Sequence, residues 1–96
     1  MEGCIAVVEE LLERYWEISM ETGPDLEGFV RRAAGGEFGP VTPRDIAAFL
    51  RRVESITIEN IETKAAEGGP FARMRDQVIE ETRAEVARLV QLYGEG

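Results

Sequence analysis

The chain has 96 residues, 44% of them hydrophobic, and a net charge of −8, which reads as one small domain spanning residues 1–96 rather than a disordered acidic tail. No apolar run approaches the roughly 18 residues that cross a bilayer, so no membrane association is expected, and an acidic chain of this size repels nucleic acid unless its arginines gather on one face. There is no histidine and a single cysteine, which excludes an intrachain disulfide, a Ser–His or Cys–His nucleophile, a zinc signature and a Glu-x-x-His di-iron site.

The opening MEGCIAVVEELL has no basic segment ahead of its apolar residues and meets glutamates early. It does not read as a signal peptide, and the expected location is the cytoplasm. Ten arginines against one lysine, with one asparagine and two glutamines, fit a GC-rich genome and are compatible with a hot-growing source.

The first helix is expected over residues 3–22, stopped by Gly23 and Pro24. At 100° per residue its apolar stripe is Cys4, Val8, Leu11, Leu12, Tyr15 and Ile18, with Ile5 and Trp16 at the edge. Glu10, Glu13, Glu17 and Glu21 fall on the opposite side, Glu9 falls on the boundary, and Glu10 stands four residues before Arg14, the favourable order for a helical ion pair. Cys4 reads as a small buried filler, and Tyr15 and Trp16 as core or interface anchors.

A short second helix is expected over 24–34, opening with Pro24-Asp25. Gly35-Gly36-Glu37-Phe38-Gly39-Pro40 reads as a linker. It lacks the lysine and Ser/Thr of a phosphate-binding loop. The third helix has the clearest start in the chain: Thr42 as N-cap, Pro43 at the first position, Asp45 at the third, and Val41 placed to staple onto Ile46. It is expected to run over 43–67. Ser55-Ile56-Thr57-Ile58-Glu59 alternates like a strand, but it sits inside a helical period with no breaker and is read as helix. Gly68-Gly69-Pro70 stops the third helix, and the fourth is expected over 71–93, with Gly94-Glu95-Gly96 fraying.

The third helix carries an apolar stripe through Ile46, Phe49, Leu50, Val53, Ile56, Thr57 and Ile61. The same arithmetic takes it through Asn60 and Lys64, the only asparagine and the only lysine. Charge is rarely buried alone. The short loop makes the fourth helix its antiparallel neighbour, with a stripe of Phe71, Met74, Val78, Thr82, Val86, Leu89 and Tyr93, and Arg75 and Glu85 at its edges. Two readings follow. The stripe emerges to solvent near the turn, where lysine snorkels and Asn60 sets register in an oligomeric seam. Alternatively, Asn60, Lys64, Thr57 and Arg75 form a small polar binding pocket for an anionic ligand or a partner's carboxylate.

Glu9-Glu10-Leu11-Leu12-Glu13, with Glu59-Asn60-Ile61-Glu62 as a second acidic element, resembles the EExxE and ExxD elements of all-α nucleoside triphosphate pyrophosphohydrolases of the MazG and dUTPase-like type. The resemblance implies magnesium held by Glu9, Glu10, Glu13, Glu59 and Glu62 over a triphosphate. It covers ten or so residues, has glutamate where that family carries aspartate, and separates the elements more widely. Carboxylates that share a metal in a bundle point inward together, and here most point away from the apolar stripe.

Charge is unevenly placed: residues 1–27 carry a net −7 and residues 28–52 a net +3. Arg31, Arg32, Arg44, Arg51 and Arg52 would form a nucleic-acid face if they were segregated. The favoured expectation is that they offset the acidic first helix within the molecule or across a dimer, so nucleic acid is not the expected partner. The fold class expected is all-α: a small helical bundle of three long helices and one short helix, the third and fourth forming an antiparallel hairpin. Three apolar faces on so short a chain leave area over, so a homodimer is expected. The leading expectation for function is a non-enzymatic helical interaction or adaptor module whose acidic face meets a basic protein partner, with no cofactor. The magnesium-dependent pyrophosphohydrolase and arginine-based nucleic-acid binding are the alternatives.

Overall fold

The computed structural model describes residues 2–94, and side chains for residues 6–70 and 72–94. The expected packing of Cys4, Ile5 and Phe71, and the fraying of Glu95 and Gly96, lie outside these. The described residues are all helix and connecting turns: α1 (Glu2–Thr22), α2 (Leu26–Ala34), α3 (Pro43–Ala66) and α4 (Pro70–Tyr93). Helices α3 and α4 form the expected hairpin, α1 packs on α3, and α2 packs on both α3 and α4. Among the described residues no helix is long and apolar enough to cross a membrane.

Each boundary has a local cause. Gly23 takes φ +91°, and its N–H donates to the Ser19 carbonyl at 2.9 Å, closing α1 in a left-handed cap that a side chain would strain. The Asp25 carboxylate accepts the Gly28 N–H at 3.0 Å and opens α2 two residues later than the sequence implied. At α3 the capping box closes both ways: Thr42 Oγ1 accepts the Asp45 N–H and Asp45 Oδ2 accepts the Thr42 N–H, each at 3.1 Å. Gly68 and Gly69, at φ +88° and +83°, reverse the chain, and Pro70 starts α4. The β-branched run 55–59 is helical throughout. A penalty of a few tenths of a kcal/mol per β-branched residue is outweighed by the burial of the helix that contains it.

The core gathers at one end of the hairpin. It takes Val8, Leu11, Leu12 and Tyr15 from α1, Phe29, Val30 and Ala33 from α2, Ile46, Phe49, Leu50 and Val53 from α3, and Val86, Leu89 and Val90 from α4. Three aromatic rings make its centre: Phe29 lies 5.3 Å from Phe49 and 5.4 Å from Tyr15, and Tyr15 lies 5.9 Å from Phe49. Phe38, from the segment read as a linker, stacks on Phe29 at 4.8 Å, and the Arg32 guanidinium lies over its ring at 5.1 Å. Trp16 stays 39% exposed and is not a core anchor.

Beyond Val53 the hairpin continues past the main cluster, with Ile56 still packed against it. Residues 54–66 extend about 20 Å at about 1.5 Å per residue, and only Ile61 in that stretch and Ile79 on α4 are buried. Both lie outside the main cluster. The molecule is accordingly elongated, 43 × 29 × 25 Å.

Candidate functional site

This projecting half of the hairpin, the arm, contains most of the side chains singled out in the sequence as a binding set. With Val53 as origin, Asn60 and Lys64 fall within about 20° of it on the α3 wheel, and Ile61 lies about 80° to one side. Yet Ile61 is buried, while Asn60 and Lys64 are exposed. The reason is the shape of the bundle. Near the base α1 covers one flank of the α3 stripe and α4 the other. Toward the tip of the arm α4 covers the Ile61 flank, while at the level of Thr57 the other flank is still bordered by Pro24 and Leu26 of the α1–α2 junction.

The α4 helix shows the same rotation. Ile79 and Val90, which the expected stripe left out, lie about 20° and 40° to one side of Val86 and are buried. Val78 and Met74 lie about 80° and 120° to the other side. Val78 is half-buried, and Met74 is 52% exposed. The open flank of the arm thus combines Ile56, Thr57, Asn60 and Lys64 from α3 with Met74, Val78, Glu81 and Thr82 from α4.

Part of that flank is a hollow of about 350 Å³ between the hairpin and the α1–α2 junction, where Pro24 and Leu26 stand opposite Val53, Thr57, Val78, Thr82 and Val86, with Glu81 and Glu85 also bordering it and no cation among its lining residues. Glu85 lies 3.8 Å from Arg88. Glu81 accepts a hydrogen bond from Gln77 at 3.2 Å and, among the described residues, has no ion pair. The Lys64 side chain has neither a hydrogen bond nor an ion pair among them, while its carbonyl accepts the Glu67 N–H at 3.1 Å. Tyr15 closes the inner end of the hollow. Burial pushes its phenol above the ordinary value, and the nearby carboxylates of Asp25 and Glu85 act in the same direction.

Arg75 belongs to the other flank. It pairs with Glu62 at 2.9 Å across the turn and with Asp76 at 2.6 Å, in a separate charged hollow of about 410 Å³ lined also by Glu80 and Arg83. Of the four residues Thr57, Asn60, Lys64 and Arg75, Thr57 borders the first hollow and Arg75 the second, and neither hollow includes Asn60 or Lys64.

The glutamates of the acidic elements lie on the surface. Glu9, Glu10, Glu13, Glu59 and Glu62 are all exposed. Glu10 pairs with Arg14 at 3.8 Å, and Glu62 with Arg75. Among the described residues no three His, Cys, Asp or Glu side chains converge as metal ligands do.

Arg31, Arg32 and Arg51 pair within or close to their own helices. Arg31 reaches Glu27 at 3.7 Å and donates to the Tyr93 hydroxyl at 3.5 Å, Arg32 pairs with Glu37, and Arg51 lies 3.9 Å from Glu54. Hydrogen bonding from Arg88, at 3.0 Å, holds Glu27 below the ordinary carboxylate value, and Arg32 does the same for Glu37. The Arg88–Glu27 pair was not legible in the sequence, because 61 positions separate its members. Comparison with protein-family models, with curated proteins and with solved structures finds no match for this chain.

Proposed function

We propose that the chain is a non-enzymatic helical interaction module that works as a homodimer through its hairpin arm. The observation that carries this reading is the arm itself: a helical hairpin extending beyond the main cluster, with Ile56, Thr57 and Val78 only half-buried on one flank. Two helices alone bury little surface, and a second pair laid on the open flank would complete a four-helix arrangement. Ile56, Thr57 and Val78, half-buried in one copy, would then become interior.

The carboxylates of α1 support an adaptor role, since Glu9, Glu13, Glu17 and Glu21 are exposed and would meet a basic protein partner once the arms are joined. Sedimentation equilibrium at tens of micromolar tests the dimer, for which the expected mass is twice 10.7 kDa. A mass that stays at one chain over the whole range overturns the reading. Salt-sensitive binding of a lysine-rich peptide, lost in Glu9→Gln/Glu13→Gln/Glu17→Gln, tests the acidic face. Binding unchanged in that variant would remove this part of the proposal.

A further inference from the structure

We infer that the hollow between the hairpin and the α1–α2 junction binds a primary alkylammonium, with its carbon chain against the apolar wall and its charged end between Glu81 and Glu85. One chain builds the whole site, so it does not depend on the dimer. Pro24 and Leu26 stand on one side, and Val53, Val78 and Val86 on the other. The volume of about 350 Å³ lies at the lower end of those that hold small organic ligands.

The sign of the ligand follows from the carboxylates. Glu81 and Glu85 are four residues apart on α4, where helical neighbours share a face and like charges repel. Among the described residues Glu81 has no ion pair and accepts only the Gln77 amide at 3.2 Å. Arg88 lies 3.8 Å from Glu85, but its guanidinium hydrogen-bonds to Glu27 at 3.0 Å and is held there on the α2 side. No cation lines the hollow itself. The Tyr15 phenol at its inner end, raised chiefly by burial, is raised further by Asp25 and Glu85 and so registers the same negative field.

The shape of the ligand follows from the rest of the lining. An ammonium head has three hydrogens to donate, and the hollow offers it the two carboxylates and the threonine hydroxyls. Thr82 Oγ1 donates to the Val78 carbonyl at 2.9 Å, which commits its hydrogen and leaves its lone pairs. The Thr57 hydroxyl has no hydrogen bond among the described residues. A quaternary ammonium has no hydrogen to give and is recognised by aromatic faces. Tyr15 is the only aromatic residue of the lining, and it is 7% exposed. A divalent metal needs a fuller set of oxygen ligands, and no three carboxylates converge among the described residues. The valines, Leu26 and Pro24 favour an alkyl chain over a bare ion.

The test uses the unmodified chain at submicromolar concentration, because Thr57 and Val78 also belong to the flank on which the dimer is proposed. Methylamine, butylamine and tetramethylammonium are titrated as chlorides at constant ionic strength. Binding is read from the melting point and from the fluorescence of Trp16, the only tryptophan, whose ring lies 5.2 Å from that of Tyr15. Butylamine should bind about tenfold or more tighter than methylamine, through partial burial of its additional methylenes. Tetramethylammonium should have no effect. Glu81→Gln/Glu85→Gln, which keeps good helix formers at two exposed positions, should weaken butylamine about tenfold. No shift with any cation, equal shifts with all three, or an unchanged butylamine affinity in the variant overturns the site. N-acetyl-lysine N-methylamide carries the same head and chain length between peptide groups. If it binds at least as tightly as butylamine, the occupant is a lysine of a basic protein; if it binds markedly more weakly, the occupant is a free amine. A chain that stays monomeric at every concentration overturns the dimer and leaves this site standing.

Discussion

Val78 and Ile79 are adjacent on α4 but face different surroundings, and substituting each separates the stability of the single chain from the stability of the dimer. Ile79 is 9% exposed and packs on the covered flank of the arm. Truncation of a buried isoleucine to alanine costs about 2–5 kcal/mol. The site lies outside the main cluster and can partly collapse, which puts Ile79→Ala near about 2 kcal/mol, or a melting point lower by about 10 °C for a chain of this size. That loss should be present at every protein concentration. Val78 is half-buried on the open flank. Valine and aspartate differ little in helix propensity, so Val78→Asp should cost the single chain about 1 kcal/mol or less. In the dimer two valines leave the interface, at about 1 kcal/mol each, and two carboxylates enter it. Dimerisation should weaken about 30-fold or more. Thermal melts at low concentration and sedimentation over a wide range read the two quantities separately. If Val78→Asp dimerises as the parent does, or destabilises the single chain as much as Ile79→Ala, the division of the arm into a covered and an open flank is wrong.

Three other outcomes are expected. Thr42→Ala removes one half of the capping box of α3 and should cost about 1 kcal/mol, read by chemical denaturation; Thr42→Ser should cost less, because it keeps the oxygen. Stability should fall at both ends of the pH scale. Glu27 is held below its ordinary 4.5 by Arg88, so its contribution is present above that value and is lost as the pH falls through the lowered one. Tyr15 is raised above 10.0 by burial, so its contribution is present below 10.0 and is lost as the pH rises through the raised value. In melts against pH, Glu27→Gln should flatten the acid limb relative to the parent and Tyr15→Phe the alkaline limb; an unchanged limb in either variant contradicts the assignment. Millimolar magnesium or manganese should leave the melting point of the parent and of Glu9→Ala/Glu13→Ala alike, since those carboxylates do not converge. An increase in the parent alone would instead promote metal-dependent nucleotide hydrolysis.

The helices and their ends were legible because their signals are local. Thr42-Pro43-x-Asp45 contains a capping box whatever packs around it, and the glycines at 23, 68 and 69 mark left-handed turns whose backbone angles favour that residue alone. The interior of the bundle was legible for the same reason, since Val8, Leu11, Leu12 and Tyr15 repeat at helical spacing. What the spacing does not contain is how far each helix is accompanied. Asn60 and Lys64 sit on the same stripe as Val53, yet they are exposed because the core contacts of α1 end near Val53. Periodicity finds a face, whereas burial depends on the length of the neighbour. Phe38 was illegible for a related reason: it comes from a glycine-rich segment with no period of its own, and its place against Phe29 is set by the tertiary fold. The surface carboxylates of α1 are the reverse case, because the wheel placed them correctly without any knowledge of what packs beside them.

Sedimentation equilibrium of the unmodified chain from about one to one hundred micromolar tests the central claim most directly. The open flank of the arm requires a mass that rises with concentration toward two chains, with a midpoint in the micromolar range that weak, standard-sized interfaces occupy. A mass equal to one chain at every concentration would contradict it, and would leave the flank of Ile56, Thr57 and Val78 to a different protein.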